Sequence, residues 1–173
     1  MKEMLRLEFS FFRFPFSVFR PGALGALWIA AGMSAAAAVA AHSYGTGDLQ
    51  VRHPWARATP PGARVAAGYL EIRNSGKAPD RVTGAGTSAA ERVELHVLVR
   101  DGDVMKMREL QSFEVPARQR LLLEPGGSHL MIVGLRKPFA KGDRIPITLR
   151  FERAGELKIE LEVQSGDARR PHH

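Results

Sequence analysis

Four residues of this 173-residue chain carry donor atoms of matched type: His96, Met107, His129 and Met131. Imidazole nitrogen is a borderline ligand and thioether sulfur a soft one, and thioethers favour Cu(I) over zinc, calcium or magnesium. Cysteine is absent, which removes disulfides, zinc–thiolate sites, iron–sulfur clusters, thiol catalysis and c-type haem attachment. It also removes blue-copper electron transfer, whose site needs a thiolate. Soft-metal chemistry therefore falls to methionine and histidine.

Strand geometry predicts how these residues meet. Asp101-Gly102 is flanked by alternating apolar residues, the signature of a two-residue type I′ hairpin turn. With those two residues as the loop, Arg100 pairs with Asp103, Val99 with Val104, Leu98 with Met105 and His96 with Met107. Directly opposed residues have Cβ atoms about 4.5–5.5 Å apart on one face, so this register sets a histidine against a methionine. It makes Met107 the ligand and Met105 a neighbour nearer the turn. In Ser128-His129-Leu130-Met131-Ile132-Val133, positions i and i+2 share a face. His129 and Met131 then project together, while Leu130 and Ile132 point into the core. Gly126-Gly127 lets the backbone turn sharply into this strand. A lone histidine beside valines is usually a strand-surface residue, and a lone methionine usually fills core space. The two pairs taken together point to a metal site.

The segments around them read as short strands over 49–53, 66–73, 81–85, 92–100, 104–110, 113–115, 120–123, 129–133, 145–153 and 156–163. Turn signals separate them, among them Pro60-Pro61-Gly62, Asn74-Ser75-Gly76, Pro125-Gly126-Gly127 and Ala154-Gly155. Pro146 predicts an edge strand or a later start for its run. Ser88 followed by Glu91 fits a capping box and predicts one helical turn. Many short strands in one domain predict an all-β fold, an antiparallel β-sandwich or partly closed Greek-key barrel.

The first 40 residues read as a secretory signal peptide. Lys2, Arg6, Arg13 and Arg20 precede an apolar, alanine-rich run, which ends in Ala38-Val39-Ala40, an A-x-A cleavage site. The alternative is an uncleaved anchor, since the run approaches the roughly 20 residues that span a bilayer. The predicted organisation is a signal peptide over 1–40, a β-sandwich domain over 41–164 and a polar C-terminal tail over 165–173. Cleavage leaves Met105, Met107 and Met131 as the mature methionines. Methionine suits an oxidising compartment, where free thiols tend to pair. Net charge is +7 with basic residues scattered along the chain, and no basic block or aromatic-interleaved stripe points to nucleic acid. Such a dispersed excess is either a solvated surface or a long-range attraction for an acidic partner or an anionic membrane.

The pattern His96-x10-Met107-x21-His129-x-Met131 resembles that of the PCuAC periplasmic copper chaperones. The likeness extends to His53-Pro54-Trp55-Ala56-Arg57-Ala58-Thr59-Pro60-Pro61-Gly62, to Gly68-Tyr69-Leu70, and to Pro125-Gly126-Gly127-Ser128-His129-Leu130-Met131. It covers residues 48–163. The resemblance implies a cupredoxin-like sandwich that binds Cu(I) through His96, Met107, His129 and Met131. It also implies delivery of copper to the dinuclear site of cytochrome c oxidase, or to its thiol-containing assembly factor, in the periplasm. His172 and His173 stand where some relatives carry a histidine-bearing tail, which implies a possible accessory Cu(II) site. His53, in the His-Pro-Trp segment, is not among the ligands; that segment reads as structural.

No general base, nucleophile or phosphate loop is evident, so the reading is a monomeric metal carrier and not an enzyme. Two rivals stand beside it. One is a secreted copper oxidase or monooxygenase using an N-terminal His42 chelate, which requires cleavage directly after Ala41. The other is a metal-free adhesion or assembly sandwich in which the methionines pack.

Overall fold

The computed structural model describes residues 43–168. The predicted signal segment, Ala41, His42 and the tail histidines His172 and His173 lie outside the described residues. Eleven strands occur among those described: β1 (Ser43–Thr46), β2 (Leu49–Arg57), β3 (Val65–Asn74), β4 (Asp80–Gly86), β5 (Arg92–Asp101), β6 (Val104–Leu110), β7 (Phe113–Val115), β8 (Arg120–Leu123), β9 (Ser128–Val133), β10 (Arg144–Phe151) and β11 (Gly155–Gln164). Every run expected from the sequence is a strand. The addition is β1, whose Tyr44 pairs with Val51 of β2; its Ser-Tyr-Gly-Thr is too short and too polar to signal a strand.

The pairings close a ring, β2-β11-β10-β4-β5-β9-β3 and back to β2. The seam is narrow at β4–β5, where Ala85 opposite Val93 is the register's single pair. The expected antiparallel sandwich or partly closed barrel is thus an all-β closed path, with one departure: β11 runs parallel to β2. Outside the ring, β6 pairs with β5, β7 with β4, β8 with β3 and β1 with β2.

Alternation sends one face of each strand inward. Val51, Ile72, Leu130, Ile132, Leu149 and Leu161 are completely buried. Such a core, at about 25 cal/mol per Å² of apolar surface removed from water, is what holds the ring closed. Two expectations are corrected. Pro146 neither lies on an edge strand nor delays its strand: it sits inside β10, between β11 and β4 in the sheet order. It is tolerated because β4 ends first, its last partner being Gly86 opposite Thr148. The Pro146 carbonyl on that side accepts instead from the Thr87 hydroxyl, at 2.6 Å. Residues 88–91 form bends and not a helical turn. There the Thr87 hydroxyl accepts locally from Ala89 N, and Arg136 N donates from a distant segment to Ala89 O, so these two partners take the groups a helix would have used.

Gly68 shows how tightly the ring packs. It stands opposite Ala56 of β2 and Leu130 of β9. A Cβ there would come within 2.8 Å of Leu161 Cδ1 and 3.5 Å of Leu130 Cβ. Because Leu161 is itself fully buried, it has little room to yield. Gly68→Ala is expected to destabilise the domain by about 1–3 kcal/mol, measured by urea unfolding. An unchanged midpoint would show that the β2–β3–β9 wall is looser than described.

Candidate metal centre

Burial of Leu95 on β5 and of Leu130 and Ile132 on β9 turns the alternate residues to the outer face. On β5 these are Glu94, His96 and Leu98; on β9 they are His129 and Met131. The two strands pair so that His96 stands directly opposite His129, and Glu94 directly opposite Met131. The imidazole centroids are 5.9 Å apart with the rings tilted by 58°. Three of the four expected residues therefore occupy two successive same-face rungs of one strand pair, with the Leu95–Leu130 rung between them. His129 is buried, whereas Met131 is half-buried.

Met107 is placed differently from expectation. The hairpin loop is Gly102-Asp103, and Asp101 pairs with Val104, Leu98 with Met107 and His96 with Glu109. A type I′ turn on Asp101-Gly102 needs positive φ at both residues. Among the described residues only Gly102 of that stretch has it, at +63°. Glycine at the first central position, followed by a residue of negative φ, is the type II′ arrangement. The loop moves one residue along and the register shifts by two. A shift of two keeps the side-chain face, so Met107 remains on the face of His96, at a diagonal rather than a direct position. Its side chain is 47% exposed. Met105, expected as a neighbour, lies opposite Arg100 on the same face and is also exposed.

The hydrogen bonds assign the lone pairs. Nδ1 of His129 donates to the Gly127 carbonyl at 3.0 Å. In the neutral ring Nε2 is then an unprotonated donor atom. Nε2 of His96 donates to Glu94 Oε2 at 3.0 Å, which leaves Nδ1 as its lone pair. That Nδ1 is buried without any hydrogen-bond partner among the described residues. A buried, unsatisfied nitrogen costs about 1–3 kcal/mol, and a metal ion is one chemistry that satisfies it. Carboxylate and carbonyl partners on the second ring nitrogen are the usual orienters of metal-ligating histidines.

Glu94 was not singled out from the sequence. It is two residues before His96 on the same strand, so alternation alone places it on the site's face. Arg92 donates to its other oxygen at 2.5 Å. That hydrogen bond, with a smaller contribution from His96, holds the Glu94 carboxyl below the usual carboxylate range. Glu109 completes a cluster in which Glu94, His96 and Glu109 offer ligand atoms within 4.8 Å of one another. Finding Glu109 opposite His96 requires the hairpin register, which the Asp101-Gly102 signature gave two residues out. Gly127 stands two residues before His129, and only its carbonyl takes part.

An aromatic wall borders His129. The Tyr69 ring is 6.4 Å from it, and Trp55 lies against Tyr69 at 4.6 Å with a 39° tilt. The Arg57 guanidinium sits 5.8 Å from the Tyr69 centroid, and burial pushes the phenol's pKa up. The buried Trp55 fits the structural reading of His53-Pro54-Trp55.

Residues 49–163 match the family model "Putative lipoprotein LpqE-like". The chain belongs to the PCuAC family. Among solved PCuAC structures, "Copper-bound PCuAC domain from PmoF2" is 31% identical, with TM-score 0.64 over 72% of this chain and 98% of that domain. The Cu(I) form of DR1885 from Deinococcus radiodurans is 26% identical, with TM-score 0.55 over 74% of this chain and 83% of its own. "Putative lipoprotein Lxx21020" of Leifsonia xyli subsp. xyli is 36% identical over 117 residues, 67% of this chain and 69% of its own length. The all-β fold is thus the cupredoxin-like fold of PCuAC domains, and all four expected ligands fall inside the matched span.

Because the folded pKa of Glu94 is lowered, its pairing stabilises the site fully above the usual carboxylate range. That contribution is lost as pH falls through the folded value. Arg92→Gln is expected to raise the pH at which Glu94 titrates, followed by carboxyl ¹³C NMR. A titration no different from the parent chain would show that Arg92 does not set it.

Proposed function

We propose that the protein is an exported copper carrier that binds Cu(I) through His96, Met107, His129 and Met131. The observation that carries the reading is the pair of directly opposed histidines, His96 and His129, each with one ring nitrogen engaged, by Glu94 and by the Gly127 carbonyl, so that His96 Nδ1 and His129 Nε2 are left to bind. Met131 lies two rungs away on the same face and Met107 diagonally from His96. Two imidazoles and two thioethers suit Cu(I) and discriminate against hard divalent ions. The copper-bound PCuAC domain, at 31% identity, supports copper as the cargo.

Exposure grades the four ligands. The histidines are held by Glu94 and Gly127, whereas Met107 stands on the half-open hairpin β6. A partner's ligand replaces Met107 first, and the copper leaves by stepwise exchange. The recipient in this reading is a copper-accepting envelope protein, the dinuclear site of cytochrome c oxidase or its thiol-containing assembly factor. Relatives named as lipoproteins support an envelope location, and the predicted signal peptide over 1–40 supports export to the periplasm. The 41–164 domain with its 165–173 tail is then the working protein, monomeric and without nucleic acid or catalysis. His172 and His173 provide an accessory Cu(II) site at most.

Substituting Met107 and Met131 together with leucine conserves volume and apolarity but removes both sulfurs. The double variant is expected to lose Cu(I) affinity by at least about a hundredfold in competition with a chromogenic chelator, with its strand circular dichroism unchanged. Parent-like affinity in the folded variant would remove the thioethers from the site.

A further inference from the structure

Away from His96 and His129, the surface carries a second, differently built group of polar side chains. An open cleft of about 740 Å³ lies where β2, β3 and β8 meet, lined by Arg52, His53, Glu71, Arg73, Arg118 and Arg120 among others. Four guanidinium groups face one carboxylate. Glu71 reaches only Arg120, at 4.0 Å. Among the described residues Arg52, Arg73 and Arg118 have no acidic partner.

Three features mark the cleft as more than a solvated basic surface. Arg73 of β3 stands directly opposite Arg120 of β8, and like charges on one rung are destabilising. Arg118 has φ +57°, in a turn closed by Gln119 N donating to Pro116 O at 3.3 Å. Positive φ at the third residue of such a turn calls for glycine or asparagine, yet an arginine occupies it. His53 has φ +49° at the β2 bulge, immediately before Pro54. These two are the positive-φ residues other than glycine among those described, and both line this cleft. Strained backbone held by surrounding structure gathers at functional sites.

The turn bearing Arg118 is pinned. Asn74 N donates to Gln119 O at 2.8 Å, and the buried Asn74 amide donates to Val115 O and Ala78 O. The guanidinium groups are thus presented on a fixed frame. Arginine's planar fork matches phosphate oxygens bidentately, and four arginines against one glutamate suit a multiply charged oxyanion better than a single carboxylate.

We propose that this cleft binds a phosphate group, either free or borne by a lipid headgroup. The site lies on the outer face of β3, where Ala67, Tyr69, Glu71 and Arg73 alternate. Ala67 stands opposite Met131, while Arg73 lies six residues on, a separation of roughly 20 Å. Anion binding and copper binding are therefore separable.

The test uses the exported chain at low ionic strength. Titration calorimetry with pyrophosphate reads the free arm, and co-sedimentation with phosphatidic acid vesicles, against phosphatidylcholine vesicles, reads the lipid arm. Saturable binding in either arm, weakened at least tenfold by Arg73→Gln and by Arg118→Gly, supports the proposal, and the arm that responds identifies the source. Arg118→Gly also relieves the positive-φ strain, so its melting temperature is expected to hold or rise while binding falls. Copper uptake is expected to be unchanged in both variants. No saturation in either arm, or binding that both variants retain, overturns the proposal.

Discussion

Everything at the candidate copper site depends on the burial of β9. This strand lies between β5 and β3, and its Leu130 and Ile132 are completely buried. With a period of two, burying those residues obliges His129 and Met131 to face outward. The antiparallel register with β5 then sets His96 beside His129 and Glu94 beside Met131. The apolar core and the donor set are two faces of one strand pair. A one-residue slip would expose Leu130 and bury His129 and Met131, so the hydrophobic effect that closes the ring also fixes the face these two residues occupy.

Control of the histidines comes from neighbours two residues away. Gly127 and Glu94 each precede a histidine by two positions and each takes a proton-bearing ring nitrogen. The remaining lone pairs lie on adjacent strands. Arg92 keeps Glu94 ionised and so keeps it an acceptor. The result is a pair of oriented imidazoles beside flexible thioethers, a division suited to holding a soft ion and releasing it. Tyr69 and Trp55 wall the histidine side, while the hairpin leaves Met107 open.

Legibility followed how local each relationship is. His129 and Met131 needed only alternation, and their common face was readable from six residues. Met107 needed a hairpin register, and the Asp101-Gly102 signature misplaced the loop by one residue because Gly102 took the first central position of the turn. The resulting shift of two preserved the face, so Met107 stayed on the side of His96 although its predicted partner changed. Glu109 opposite His96 turns on that same hairpin register, whereas the parallel β11–β2 pairing and the closure of the ring are long-range, and no short window contains them. Pro146 and Ser88 misled for one reason: local preference was outweighed by tertiary hydrogen bonds through Thr87 and Arg136.

The account's central claim is a coordination set of two imidazole nitrogens and two thioether sulfurs around one copper ion. X-ray absorption at the copper K edge of the Cu(I)-loaded mature protein tests it most directly. The predicted result is a first shell of two nitrogen and two sulfur scatterers. A shell of nitrogen and oxygen alone would contradict it and move the metal to the carboxylates beside His96.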